Sequence, residues 1–198
     1  MTSSILAGVD EVGRGCLAGP VISASVILAN TVDISLLCDS KELTSLKREK
    51  IADHIIKNSV AIGIGISSNI EIDKMNIHEA TLLSMSRSLT SLSIEPDKAI
   101  IDGLFTPNHF INCEPVIKAD KSIPVVSAAS IIAKVVRDNF MKRIDQRYDI
   151  YQFRKNKGYG TAKHIELLKL FGPSIYHRMT FSPLKDISVS YTHLRAHE

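Results

Sequence analysis

The sequence predicts an α/β fold: a mixed sheet flanked by helices, with additional helices at the C-terminal end. Three observations predict it. Three β-branched or apolar runs lie close together early in the chain. Later segments with helical periodicity alternate with short apolar strands. Periodic helical segments then close the sequence. Strands mixed with helices in this way bury their apolar surfaces as a sheet covered by helices.

The elements follow in order. Ile5 to Val12 reads as a largely apolar strand, and Gly13, Gly15, Gly19 and Pro20 punctuate what comes next. Val21 to Leu28 reads as a second strand. Leu46, Ile51, Ile55 and Ile56 give Ser45 to Lys57 one apolar helical face. Val60 to Ile66 alternates isoleucine with small residues, which suits a strand approached closely by a neighbour. These three strands are expected to form an antiparallel set. Ile77 to Leu92 predicts a helix, Lys98 to Asp102 a short buried strand, and Pro115 to Lys118 a further strand. Ser127 to Arg147 predicts the clearest helix, its early residues small enough for close approach to a sheet. Ala162 to Phe171 predicts a last helix, stopped by Gly172-Pro173.

The 198 residues fit one domain, expected over 1–187. Ser188 to Glu198 continues no pattern and is read as a separate, non-native tail. The net charge of +3 permits a polyanionic partner without demanding one. Cys16, Cys38 and Cys113 are three widely spaced cysteines, which argues against a zinc site or a disulfide framework. No apolar run reaches membrane-span length and no targeting segment precedes Asp10. A cytoplasmic monomer with no membrane association is the expectation.

Gly13-Arg14-Gly15-Cys16-Leu17-Ala18 matches the G-x-G-x-x-G/A dinucleotide pattern. That reading fails on two counts. Gly19-Pro20 breaks the helix whose N-terminus must face a pyrophosphate. Asp10 and Glu11 would also repel it. Two adjacent carboxylates in an apolar strand are costly to bury unless they are paired or bind metal. Asp102 ends a second apolar strand and Asp120 follows a third. Together Asp10, Glu11, Asp102 and Asp120 would make an all-oxygen cage suited to Mg²⁺ or Mn²⁺. Neighbouring strand residues point to opposite faces, so Asp10 and Glu11 can share a site only if the strand ends or bulges there. For Asp102 and Asp120 taken singly, an ordinary turn role stands equally open.

At these residues the sequence resembles ribonuclease HII, of the type 2 ribonuclease H family. The resemblance runs through Ala7 to Gly15, Leu17 to Val21, Asp39-Ser40-Lys41-Glu42-Leu43-Thr44, Ile101-Asp102-Gly103, Lys118-Ala119-Asp120 and Ser127 to Lys134. Arg137-Asp138, Lys157 to Thr161 and His177 to Phe181 complete it. It implies an RNase H-like fold, and cleavage of RNA paired with DNA and of single ribonucleotides embedded in DNA. It implies two-metal catalysis on Asp10, Glu11, Asp102 and Asp120, leaving 5′-phosphate and 3′-hydroxyl ends. It further implies that Gly13, Arg14 and Gly15 read the 2′-hydroxyl and that Tyr159 stacks on the sugar beyond it. Cys16 in place of a common proline, Ala119 in place of glycine and the position of Lys121 depart from the pattern. No counterpart of the extra N-terminal domain of ribonuclease HIII is seen, which favours HII.

Late basic residues are expected to form a solvated helix face, some of them touching phosphate: Lys134, Arg137, Lys142, Arg143 and Arg147, then Arg154, Lys155 and Lys157. His164 and His177 are expected to be structural. Two rivals share parts of this pattern. A DNA-directed nuclease of the same superfamily would lack the ribose sensor, and a non-catalytic nucleic-acid-binding module would not place four acids where phosphate must lie.

Overall fold

The computed structural model describes residues 4–37 and 44–185. Cys38, the Asp39 to Leu43 part of the resemblance and the 188–198 tail lie outside the described residues.

Five strands form one sheet in the order β3-β2-β1-β4-β5. They are β1 (Leu6–Val12), β2 (Val21–Leu28), β3 (Ser59–Ser67), β4 (Lys98–Asp102) and β5 (Cys113–Val116). The first three are antiparallel, as predicted; β4 runs parallel to β1 and β5 parallel to β4. Strand β5 starts two residues before the predicted Pro115. Proline is tolerated there because β5 is an edge strand, where a missing amide costs no ladder bond.

Side-chain alternation along the central strand β1 assigns its two faces. Ala7 and Val9 enter one core with Met85 and Leu89 of α3 (Ile77–Thr90). Gly8 and Asp10 face α5 (Pro124–Asp145). A Cβ on Gly8 would stand 2.4 Å from the main chain of Val125, so only glycine admits the helix this closely. Small residues do the same work on the other face. Ser23 and Ser25 of β2 hydrogen-bond Ser84 and Ser88 of α3 at 2.5 and 2.6 Å, which satisfies hydroxyls that are fully buried.

Helix α1 (Ser45–Asn58) is N-capped by Thr44, whose hydroxyl accepts the Lys47 amide. It packs Ile51 and Ile55 with α5 against Ala24 and Val26 of β2. Helix α5 begins at Pro124, three residues before the predicted start, because proline suits a first helical turn. The sequence reading had no element at α2 (Asn69–Met75), although Ser68 and Glu71 form a capping box there. Beyond α4 (Ala119–Ser122) and α5, the short α6 (Phe153–Asn156) and α7 (Ala162–Phe171) pack Phe153, Leu167 and Leu168 on Leu17, Ala18 and Met141. This last cluster joins the C-terminal helices to the loop that leaves β1. Among the described residues, no helix is long and apolar enough to cross a membrane.

Candidate active site

The four carboxylates meet at the end of the sheet where β1 outruns β4. The ladder between these strands stops at Val9 and Ile101, so Asp10 and Glu11 pass the last paired residue just as β4 delivers Asp102. Strand β1 neither ends nor bulges between Asp10 and Glu11: its pairing with β2 runs unbroken from Gly8 to Val12. Asp10 lies on the α5 face, and Glu11 lies toward α3, beside His78 and Met85. They share a site because the sheet edge is open beside them, and both line one cleft of about 370 Å³. Asp102, Asp120, Ser130, Lys134 and Tyr159 line it too. The expectation of a break in the strand is thus corrected; the missing piece of β4 does the work of a bulge.

Each acid is held locally. Asp10 accepts the Glu11 amide at 2.7 Å and bonds Ser130. Asp102 accepts the Ala119 amide at 2.8 Å, which ties β4 to the start of α4. Lys118 adopts a left-handed conformation and turns the chain, and the buried Asp120 follows in α4. Ser127 bonds the Asp120 carbonyl at 2.5 Å and fixes α4 on α5.

The electrostatics are those of a site short of positive charge. Burial pushes the Asp10 carboxyl well above the usual carboxylate range, and the charges of Glu11 and Asp102 push it further. Burial also raises Glu11, opposed by Arg14 and reinforced by Asp102. The Arg14 guanidinium is 3.7 Å from Glu11 and largely exposed, so the ion pair is weak. Glu11 Oε2 is buried without a hydrogen-bond partner. An orphaned carboxylate oxygen among three further carboxylates fits hard divalent cations such as Mg²⁺ or Mn²⁺. The acids line an open cleft, but among the described residues no three acidic, histidine or cysteine side chains stand close enough together to hold a metal ion, so the expected four-acid cage is not formed as these side chains are placed.

The glycine-arginine-glycine loop lies beside this cleft, and its two glycines differ. Gly13 has φ +98°, and a Cβ there would stand 2.2 Å from the Arg137 side chain. Its need for glycine is structural. Gly15 has open space where a Cβ would be, so no internal packing explains it; its main chain is accessible from outside. Arg14 lines the neighbouring groove with Glu11, Asp102, Phe105 and Lys118. Tyr159 reaches the loop through a bridge to Cys16, and its hydroxyl is hydrogen-bonded to the Cys16 thiol. The residue is 41% exposed, with Lys134 Nζ at 5.9 Å and the Arg137 guanidinium at 6.0 Å from the centre of its ring. Cys16 itself is buried, and burial raises its thiol pKa, as suits an inert thiol.

Arg137 corrects the sequence expectation of a solvated basic face. It is fully buried and donates to the carbonyls of Ala18, Pro20 and Lys157 at 3.0, 3.0 and 2.8 Å. Arg178 is its counterpart, donating to Gly13, Arg14 and Gly19. Sequence reasoning gave no role to Arg178 or Ser130, although both fall in the segments that carry the resemblance, and passed over Arg48, which also lines the cleft. A signal for Ser130 existed: it falls one turn of helix before Lys134 on the segment nearest the acids.

A five-stranded mixed sheet with acids gathered at the open end of its central strands defines an RNase H-like protein. The structure of ribonuclease H2 from Pyrococcus horikoshii OT3 matches it with a TM-score of 0.79 at 27% identity, over 94% of this chain and 98% of that one. The Ribonuclease HII family matches residues 7–183. Ribonuclease HII from Pelagibacter ubique is 50% identical over 184 residues, 92% of this chain and 98% of that protein. Ribonuclease HII from Coxiella burnetii is 44% identical over 185 residues, 93% of this chain and 92% of that protein. The chain belongs to the ribonuclease HII family, and is accordingly an endoribonuclease of the ribonuclease H class.

Proposed function

We propose that the chain cuts the RNA strand of RNA-DNA hybrids and also cuts at single ribonucleotides embedded in DNA duplexes. One observation carries this reading: the four carboxylates and the exposed ring of Tyr159 line the same cleft, next to the accessible main chain of Gly15. The first group acts on a phosphate and the second meets a neighbouring sugar, so chemistry and ribose recognition share one cleft.

Asp10, Glu11, Asp102 and Asp120 are assigned as the residues that hold the divalent ions. When bound there, two Mg²⁺ or Mn²⁺ ions would activate water and stabilise the leaving 3′-oxygen, giving 5′-phosphate and 3′-hydroxyl ends. The chain's own part is positional. Main-chain groups of Gly13 and Gly15 approach the 2′-hydroxyl, the group that separates RNA from DNA at one nucleotide. Arg14, exposed beside the cleft, grips a flanking phosphate. Tyr159 stacks on the next sugar and Lys134 adds positive charge beside it.

The test is a substrate panel with Mg²⁺ or Mn²⁺: a DNA duplex carrying one ribonucleotide, a long hybrid, an all-DNA duplex and a chelator control. Cleavage of the first two alone, abolished by chelator, is the expected result. Cutting of all-DNA duplex at a comparable rate would instead establish a DNA-directed nuclease.

A further inference from the structure

Three short segments lie side by side next to the cleft. Residues 17–19 run between 158–159 and 176–178: the Leu17 amide donates to the Gly158 carbonyl at 2.7 Å, and the Gly19 amide to the Tyr176 carbonyl at 2.9 Å. The Arg178 amide returns a bond to the Leu17 carbonyl at 2.9 Å. His177 and Arg178 are both buried, yet neither touches the carboxylates.

Arg178 spends its guanidinium on main chain. Its Nη2 donates to the Gly13 carbonyl at 2.7 Å and its Nη1 to the Arg14 carbonyl at 2.8 Å. His177 points the other way, into a chain of bonds with a fixed direction. The Ser174 amide donates to His177 Nδ1 at 2.8 Å, so that nitrogen carries a lone pair. A neutral His177 then holds its proton on Nε2, which stands 3.0 Å from His164 Nε2. His164 must accept there and carry its own proton on Nδ1, 2.8 Å from the Tyr159 carbonyl. Burial lowers both imidazole pKa values, that of His177 to about 3, so both rings are neutral at physiological pH.

We infer that His177-Arg178 is the positioning element of the ribose sensor: Arg178 fixes the main chain of Gly13 and Arg14, and His177, acting through His164, fixes that of Tyr159. The inference rests on the sensor role proposed above for these residues. The two halves of the sensor come from opposite ends of the sequence, and adjacent residues on one short segment set the distance between them. The Tyr159 ring stays exposed while its backbone is held, which is the state a stacking platform needs. Removing His177 would free His164 to adopt the other tautomer, which aims a lone pair at the Tyr159 carbonyl.

The test is a double-mutant cycle on kcat/KM at a single embedded ribonucleotide. His164→Leu removes the donor, and His164→Asn keeps one near the Nδ1 position. His164→Leu is expected to cost about fivefold, the worth of one neutral hydrogen bond, and His164→Asn to recover most of it. In a Tyr159→Ala background His164→Leu should cost less than about twofold, because the group it positions is gone. A full effect of His164→Leu in that background overturns the positioning role while leaving the sensor intact. Tyr159→Ala with unchanged kinetics overturns the sensor reading itself, and the positioning role with it. Should His164→Leu fail to fold, nitrogen NMR of the wild-type rings decides: a proton on His164 Nδ1 is expected, and one on Nε2 overturns the inference.

Discussion

The acid half and the sensor half of the cleft are built on opposite terms. The acid half gathers like charges in a buried setting, where Asp10 and Glu11 resist ionisation and one Glu11 oxygen has no hydrogen-bond partner. On the proposed reading its residues work against the fold until cations arrive. The sensor half is over-braced: two buried arginines donate to the backbone between Gly13 and Pro20, and a histidine pair reaches the Tyr159 carbonyl. On the function proposed above, the cleft divides into a part that needs charge and a part that needs rigidity, and the fold provides the second without relieving the first.

That contrast can be broken most visibly at Asp10. Asp10→Asn should lower cleavage about a thousandfold or more, equivalent to about 4 kcal/mol of barrier, while circular dichroism shows an intact fold. Arg178→Met tests the other half. It leaves the buried Gly19 carbonyl without its donor and the Gly13 carbonyl with only the long 3.4 Å bond from the Cys16 amide, and should lower stability by about 3 kcal/mol. A thermal melt should register this as a drop of about 10 °C. Equal stability of that variant would remove the bracing role.

A third effect is a pH dependence. The folded His177 pKa of about 3 lies below its usual 6.5 because burial disfavours the imidazolium. A base with a depressed folded pKa contributes stability above the unfolded value and loses it as pH falls toward the folded one. Stability should therefore decline between pH 6.5 and 3, by up to about 1.4 kcal/mol per pH unit from this group. Denaturant titration of His177→Gln should show a shallower decline in that window; an identical slope would place the loss elsewhere.

The acid half was legible in the sequence and the bracing was not, for physical reasons. Carboxylates inside an apolar strand conflict with their surroundings, so Asp10 and Glu11 stand out from local sequence alone. The sheet order that brings Asp102 beside them follows from two short parallel strands with strong apolar patterns. Arg137 and Arg178 fall in segments that carry the family resemblance, but nothing in their own spacing marks them as buried, and most of their main-chain partners lie more than a hundred residues away. Nothing local separates a buried arginine that holds main chain from a solvated one. That Asp10 and Glu11 share a cleft from opposite faces also depended on tertiary structure, because only the early end of the β1–β4 ladder explains how an unbroken strand presents both to it. Helix α2 is different: its Ser68-x-x-Glu71 signal was local and present, and an isolated seven-residue helix was simply too short to show periodicity.

On this reading the acids are arranged for cations at the expense of the fold. Thermal melting of the wild type and Asp10→Asn, each with chelator and with Mn²⁺, tests it directly. With chelator, Asp10→Asn should melt above the wild type, because it removes a buried charge that Glu11 and Asp102 oppose. With Mn²⁺, the wild type should gain stability and the variant should gain little. A variant that melts below the wild type in chelator, with the same gain from Mn²⁺, would contradict the account.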